Sequence, residues 1–207
     1  GIALDANGLV YIIDTAHQRI RAVDAFGQIS TWLSASTATC NSADTLYQLQ
    51  PASQITFDST GGAYISGYSC GAATGNSYAL GLMFRSSTGV ISRILGNNVV
   101  NTAENQLATS TSLPDLGGFA IDSAGNIAIS IYSNQRVRLI TKSTGKINTI
   151  VGNGVGGYNT AADAFTPPGD YEPALGVEVN YPLAVAYAPG NHLVICDTNN
   201  FAVREIW

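Results

Sequence analysis

The chain has 207 residues, 45% of them hydrophobic, which is enough to bury the core of a sizeable domain. Only 11% of the residues are charged and the net charge is −5, with lysine at Lys142 and Lys146 alone, so a basic surface for nucleic acid is excluded. No apolar run approaches the roughly 18 residues of a membrane helix, and no membrane span is predicted.

Four similar units follow one another, and each is a series of short apolar runs separated by glycine-containing turns. In chain order they begin "GIALDANGLVYIID", "QITFDSTGGAYISG", "GGFAIDSAGNIAIS" and "LAVAYAPGNHLVICD". The turns "ANG", "STGG", "SAGN" and "APGN" contain residues that accept the positive φ of tight hairpins, and helix signals are missing. Runs such as "VYII" and "IAISI" are apolar at nearly every residue, so they need cover on both faces, which stacked sheets provide.

These units predict an all-β fold, a β-propeller whose blades are four-stranded antiparallel sheets. The predicted blades span about 1–34, 51–96, 113–152 and 182–207, within one domain or domain segment that covers the whole chain. The last blade stops after a third strand and therefore lacks its outer strand.

The repeated pattern resembles the NHL repeat, whose motifs read P-x-G-V-A-V-D, N-x-Y-V-A-D-T, N-x-R-I-R and T-V-A-G. The linker "GNGVGGY…PALGVEVNYP" is similar to the stretch that often joins such repeats. The resemblance covers nearly the whole chain and implies an NHL-type propeller. Because NHL propellers usually have more than four blades, it also implies that this chain is part of a larger propeller, with further blades or copies of itself covering its ends. A closed ring of four blades is the alternative at this length.

Charged residues recur at matching places in the units. By the resemblance, the Asp of the D-T pair and the Arg residues of R-I-R correspond to Asp14, Arg19, Arg21, Arg136, Arg138, Asp197 and Arg204. We expect these residues to form structural ion pairs or hydrogen bonds that fix turns. Asp5, Asp58 and Asp122 each close a first strand before a glycine turn and are predicted to cap that turn.

Two motifs match catalytic patterns without the context that such chemistry needs. "GYSCG" at 67–71 fits G-x-S-x-G, but no helical period follows it, and "GNGVGG" at 152–157 fits G-x-G-x-x-G but leads into a segment with two prolines. No catalytic residue, metal site or cofactor is therefore predicted. Ca²⁺ is the one ion left open, because the last linker carries the acidic residues Asp163, Asp170, Glu172 and Glu178.

The three cysteines differ in their surroundings. Cys40 and Cys70 lie in polar stretches where loops are expected, whereas Cys196 lies in the apolar run "LVIC". The sequence predicts a structural disulfide between Cys40 and Cys70 and a free, buried Cys196. A disulfide places the protein outside the cell or at its surface.

The last linker contains three tyrosines that form a candidate binding face: Tyr158, Tyr171 and Tyr181. The predicted function is a non-enzymatic extracellular scaffold or binding module that presents propeller loops to a protein or a glycan, as part of a larger surface assembly. The alternative is a propeller hydrolase or lyase with a central divalent cation, which requires acidic or histidine side chains from three or more blades. RNA binding, another use of NHL domains, is disfavoured by the negative net charge.

Overall fold

The computed structural model describes residues 1–35, 46–49, 53–70, 78–96, 100–158 and 173–206. Over these ranges the chain forms four antiparallel sheets, which are the blades of a β-propeller as predicted, and its helical content is two single 3-10 turns at Ala108–Ser110 and Thr198–Asn200. Among the described residues no helix is long and apolar enough to span a membrane. Two compact units divide the chain, and each contains two blades.

The first unit comprises Gly1–Thr102 and Ala108–Leu113. Its blade 1 has the order β1-β2-β3-β4, with strands at Ile2–Leu4, Val10–Asp14, Arg19–Val23 and Ile29–Ser34. Blade 2 contains β5 (Leu46–Gln48), β6 (Ile55–Phe57), β7 (Ala63–Cys70), β8 (Tyr78–Arg85) and β9 (Ile91–Leu95). The short β5 was not predicted, and it pairs with the end of β7 that extends beyond β6.

The second unit comprises Ala103–Leu107 and Pro114–Trp207. Its blade 3 has strands β10 (Gln106–Leu107), β11 (Phe119–Ile121), β12 (Ile127–Ile131), β13 (Arg136–Thr141) and β14 (Lys146–Val151). The two-residue β10 was not predicted and adds an outer strand beside β14. Blade 4 consists of β15 (Pro182–Ala188), β16 (His192–Asp197) and β17 (Ala202–Ile206).

In blades 1 to 3, the hairpin turn between the first two strands is capped by an aspartate, as the sequence predicted. Asp5 Oδ1 accepts hydrogen bonds from the N–H groups of Asn7 and Leu9, both at 2.9 Å. Asp122 Oδ1 accepts the equivalent pair in blade 3, and Asp58 Oδ1 does so in blade 2. The carboxylate satisfies two backbone donors that the tight turn would leave without partners, which explains why an aspartate recurs there.

Side chains alternate along the strands, so every blade has two faces. The rear face of a blade is the one that corresponds to the face of Ile55 and Phe57, the first and third residues of the first strand in blade 2. The opposite face is the front face. In the first unit, one core cluster joins the front face of blade 1 (Tyr11, Ile13, Ile20) to the rear face of blade 2 (Ile55, Ile65, Met83). In the second unit, a like cluster joins the front face of blade 3 (Ala128, Val137) to the rear face of blade 4 (Val185, Leu193, Ile195).

The predicted burial of Cys196 is wrong, because this residue is exposed. Leu193 and Ile195 point to the rear face of blade 4 and are buried, whereas Cys196 points to the front face. An apolar run shows that a strand is present, but alternation decides which of its residues meets a neighbouring sheet. The predicted partners Cys40 and Cys70 cannot be compared in the same way, since Cys40 and the side chain of Cys70 lie outside the described part of the chain.

Candidate functional site

At one end of each blade, the chain enters the first strand and the second strand turns into the third; we call this the linker end. In blades 1 and 3, a glutamine in the left-handed turn between the second and third strands bonds to the linker that enters the next blade. Gln18 (φ 53°) donates from Nε2 to the carbonyl oxygen of Leu49 at 3.0 Å and accepts from the Leu49 N–H at 2.8 Å. Gln135 (φ 53°) accepts from the N–H of Tyr181 at 2.6 Å. Each glutamine therefore ties its own turn to the linker that enters the next blade.

Asp197 is the central anion of the linker end of blade 4. Its side chain is fully buried and forms an ion pair with Nε of Arg204 at 2.8 Å. It also accepts the backbone N–H of Asn180 at 2.6 Å and the side-chain amide of Asn200 at 2.8 Å. Asp197 and Arg204 were both predicted as structural charges, and the structure brings them together. The pair fixes the linker at Asn180 against the turn at Asn200.

In blade 3, a different carboxylate bonds the linker to the turn between the second and third strands. Here Ile131 and Tyr132 replace the D-T pair, and the carboxylate comes instead from Asp115, which is 7% exposed. Asp115 accepts the N–H groups of Tyr132 at 2.7 Å and Ser133 at 3.1 Å. A carboxylate from the preceding linker thus takes the place of the missing aspartate.

In blade 1 the charged cluster is more exposed. Asp14 accepts hydrogen bonds from His17 Nδ1 at 2.9 Å and Arg19 Nε at 3.1 Å, and these bonds, His17 first, lower the pKa of Asp14. Arg21 does not join this cluster and donates to the carbonyl oxygen of Ser30 at 3.1 Å. The predicted group Asp14, Arg19 and Arg21 is therefore only partly brought together.

Arg138 lies elsewhere in the second unit, where its side chain is 1% exposed. It donates to the carbonyl oxygen of Ala103 at 2.7 Å and lies 3.5 Å from a carboxylate oxygen of Glu104. Burial lowers the pKa of Arg138, and the Glu104 charge opposes that effect. The Glu104 carboxylate also accepts from the N–H and hydroxyl of Thr149 at 2.7 and 2.6 Å. This cluster holds Ala103 and Glu104 beside β14.

Arg136 accounts for the glycine motif of 152–157. Its guanidinium contacts Asn134 in the β12–β13 turn and donates to the carbonyl oxygen of Asn153 at 2.7 Å. A methyl group at Gly152 (φ 89°) would overlap the carbonyl oxygen of Gln135, and one at Gly154 (φ 92°) would overlap the Arg136 guanidinium. Glycine is required here by close packing of the linker on the turn.

The tyrosines of this region form two aromatic contacts at the linker end. The Tyr132 and Tyr181 rings lie 4.8 Å apart between centroids and are tilted by 44°. The guanidinium carbon of Arg204 lies 4.4 Å from the centroid of the Tyr158 ring. Tyr181 has a positive φ of 57° and is 37% exposed. The third predicted tyrosine, Tyr171, lies outside the described residues.

Side-chain amides connect the same linker and turn. Asn199 Nδ2 donates to Asn180 Oδ1 at 3.3 Å, and Asn200 Nδ2 donates to the carbonyl oxygen of Gly157 at 2.6 Å. These bonds connect the linker at 156–158 and 178–181 to the turn at 197–200. We call the resulting patch the tyrosine–amide surface, defined by Tyr132, Tyr158, Asn180, Tyr181, Asn199 and Arg204. Buried carboxylates fix this patch, since Asp115 accepts the N–H of Tyr132 and Asp197 binds the N–H of Asn180 and the guanidinium of Arg204.

The described residues contain no group of three or more His, Cys, Asp and Glu arranged to hold a metal ion. Of the acidic linker residues, Asp163, Asp170 and Glu172 lie outside the described residues. Ser69 of the "GYSCG" motif lies within strand β7 rather than at a strand-to-helix turn. The histidines pair locally, His17 with Asp14 and His192 with Glu205 at 3.1 Å.

No protein-family model and no curated protein matches this chain. Solved structures do match over its whole length. A structural genomics protein of unknown function from Bacteroides thetaiotaomicron is 15% identical with a TM-score of 0.71, over 99% of this chain and 46% of that one. An auxiliary nutrient binding protein from the same organism is 15% identical with a TM-score of 0.64, over 98% of this chain and 46% of that one.

A streptogramin B lyase is 14% identical with a TM-score of 0.53, over 100% of this chain and 50% of that one. This chain therefore spans about half the length of each of these three proteins. The neighbours include a binding protein and an enzyme, and at such identities a likeness carries the fold and not the activity. The likenesses show that this chain has the fold of a β-propeller.

Proposed function

We propose that this chain is an NHL-type propeller module that acts outside the cell as a non-enzymatic binding protein, with the tyrosine–amide surface as its ligand site. The observation that carries the proposal is the pair of aromatic contacts held at the linker end of blade 4, Tyr132 with Tyr181 and Tyr158 with Arg204. Tyrosine and arginine are the residues that most often dominate binding energy. The nutrient-binding name of one structural neighbour supports a binding role.

Of the two ligand classes, protein and glycan, the chemistry of the surface favours a glycan. Tyrosine rings offer an apolar face with a polar tip, which suits a sugar ring with its C–H face and its hydroxyl groups. Asn180 and Asn199 present amides, which both donate and accept and so match hydroxyl groups. Because the Arg204 guanidinium is already paired with the buried Asp197, the surface offers rings and amides to a ligand, which suits a neutral one.

The test is calorimetric titration of the protein with maltohexaose, cellohexaose and xylohexaose. We expect one of these hexasaccharides to bind, and Tyr181→Ala to weaken binding by about 30-fold, which corresponds to about 2 kcal/mol. Tyr181→Phe keeps the ring and should retain most of the affinity. The matched control is Phe26→Ala, since Phe26 is an exposed aromatic residue (87% exposed) in the turn before β4 of blade 1.

Failure of all three sugars to bind, or equal affinity of Tyr181→Ala and the wild type, would contradict the glycan site. Elemental analysis of the purified protein addresses the alternative. A stoichiometric divalent cation would support a propeller hydrolase or lyase instead of a binding module.

The cysteines provide a separate test of the proposed extracellular location. We expect mass spectrometry without reduction to find a peptide pair linked through Cys40 and Cys70, because a disulfide persists in an oxidising compartment. Free thiols at both positions in protein secreted into an oxidising medium would contradict this part of the proposal.

A further inference from the structure

The sequence contains two Asn-Gly pairs, Asn7-Gly8 and Asn153-Gly154. In such a pair the backbone nitrogen of the glycine can attack the side-chain carbonyl carbon of the asparagine, because glycine has no side chain to block the approach. A C–N bond forms to give a cyclic succinimide, the Cγ–Nδ2 bond breaks, and ammonia leaves. Water then opens the ring at either carbonyl and yields isoaspartate or aspartate. The reaction therefore needs an asparagine side chain that can turn towards the next nitrogen.

Asn7 lies at the tip of the hairpin between β1 and β2. Asn7 and Gly8 are both exposed, and among the described residues the side-chain amide of Asn7 has no hydrogen-bond partner. A methyl group at Gly8 would meet no described atom within 4 Å, so the space around the attacking nitrogen is open. One bond has to open for the attack, from the Gly8 N–H to the carbonyl oxygen of Asp5 at 3.1 Å.

Asn153 is also exposed, but both atoms of its amide are bonded. Its Nδ2 donates to the carbonyl oxygen of Gly176 at 3.2 Å, and its Oδ1 accepts the N–H of Val155 at 2.8 Å. The backbone carbonyl oxygen of the same residue accepts from Arg136 at 2.7 Å. Attack by the Gly154 nitrogen makes Cγ tetrahedral and turns both amide atoms away from their partners. The same dipeptide is thus held against reaction.

The turn that contains Asn7 does not require an asparagine. Thr60 in blade 2 and Ala124 in blade 3 occupy the same place in their hairpins. Each donates its backbone N–H to the aspartate that caps the turn, as Asn7 does. The backbone and the aspartate therefore build the turn, and these contacts do not depend on the Asn7 side chain.

We infer that Asn7-Gly8 is a site of spontaneous deamidation in the folded protein, whereas Asn153-Gly154 is protected. Isoaspartate adds a methylene group to the backbone between the N–H groups of residues 7 and 9, which Asp5 Oδ1 accepts at 2.9 Å each. The new carboxylate also repels that of Asp5. Conversion therefore removes the aspartate cap and loosens β1 from β2. This site lies in the first unit and is independent of the proposed glycan site.

The test is incubation of the purified 207-residue chain at physiological temperature and slightly alkaline pH, with samples taken over several weeks. Peptide mass spectrometry follows each asparagine, and electron-transfer fragmentation distinguishes isoaspartate from aspartate. We expect Asn7 to convert about tenfold faster than Asn153 or more, because two amide hydrogen bonds protect the second residue. In guanidinium chloride the two rates should be similar, because the dipeptides are the same.

Two variants separate the structural cause from the sequence. Asn7→Ala carries the residue found at Ala124 of blade 3, so it should fold normally and show no conversion at position 7. Arg136→Met removes the bond to the carbonyl oxygen of Asn153 and should raise the rate there severalfold without changing the rate at Asn7. Hydrogen exchange of the segment 2–14 should be faster in aged than in fresh wild type, and unchanged by ageing in Asn7→Ala.

Equal conversion of Asn7 and Asn153 in the folded chain would overturn the inference, as would a difference of the same size that persists in guanidinium chloride. Aspartate at position 7 without isoaspartate would exclude the succinimide route. Unchanged exchange of the segment 2–14 after conversion would contradict the loss of the cap. None of these results depends on whether a hexasaccharide binds.

Discussion

Removal of the Asp197 carboxylate should destabilise the protein far more than removal of Asp14, the equivalent carboxylate of blade 1. Asp197 is fully buried, and it holds Arg204, the N–H of Asn180 and the amide of Asn200. Deleting one member of a buried ion pair leaves the other charge without compensation, at a cost of about 3–5 kcal/mol. We therefore expect Asp197→Ala to lower the free energy of unfolding by about 3–5 kcal/mol.

The variant Asp197→Asn removes the negative charge and leaves the shape of the side chain unchanged. It keeps the volume and one acceptor oxygen for Asn180, so we expect a smaller loss of about 1–3 kcal/mol. In the double variant Asp197→Asn with Arg204→Met, the buried guanidinium is absent, and the two changes should cost less together than their separate costs added. Asp14→Ala is the matched control, because Asp14 occupies the same position in blade 1 but lies in a more exposed cluster, where ion pairs contribute little.

The assay is urea unfolding followed by circular dichroism, together with hydrogen exchange of the segment 193–206. Asp197→Ala should shift the urea midpoint downwards and speed exchange in that segment. Equal stability of Asp197→Ala and Asp14→Ala would refute the reasoning, since burial of the first pair is the reason for the difference. Additive costs for Asp197→Asn and Arg204→Met would refute the pairing itself.

Three further predictions follow from single contacts. Burial, with a smaller effect of the Asp122 charge, raises the pKa of Tyr187 to about 12, above the unfolded value of about 10, so the stability that depends on a neutral Tyr187 is complete below pH 10 and is lost as the pH rises towards 12. In Tyr187→Phe this loss, measured by urea unfolding at increasing pH, should be absent. Gln18→Gly keeps the left-handed turn but leaves the buried backbone of Leu49 without its two bonds, so the free energy of unfolding should fall by about 1–3 kcal/mol, and retention of full stability would contradict the role of Gln18. Gly152→Ala should lower the melting temperature much more than Gly27→Ala, because both glycines have positive φ but only a methyl group at 152 meets backbone; equal shifts would contradict that packing.

Local patterns in the sequence predicted the blades and their turns because the physical causes are local. The cap formed by Asp5 with Asn7 and Leu9 lies within five residues, so the letters "DANGL" contain all of it. Strand alternation and glycine turns act over the same short range. The short strands β5 and β10 escaped prediction because each is only two or three residues long and is defined by its partner strand.

The contacts of the candidate site were harder to predict because their partners lie far apart in the chain. Gln18 binds a residue 31 positions away and Gln135 one 46 positions away, and a single glutamine in a polar turn gives no sign of either partner. Asp115 replaces the missing D-T aspartate of blade 3 from 17 residues upstream. Cys196 shows the converse problem: its run "LVIC" is as apolar as "YIID" around the buried Ile13, and only the position of a neighbouring sheet distinguishes the two.

Hydrogen–deuterium exchange of the protein, with and without a saturating concentration of the hexasaccharide that binds most tightly, tests the proposed function most directly. A glycan on the tyrosine–amide surface should slow exchange in three segments of the second unit, 132–136, 153–158 and 178–181, and leave the turn at 24–27 of blade 1 unchanged. Protection confined to other segments, or no protection with any of the three sugars, would contradict the assignment of this surface as a glycan-binding site.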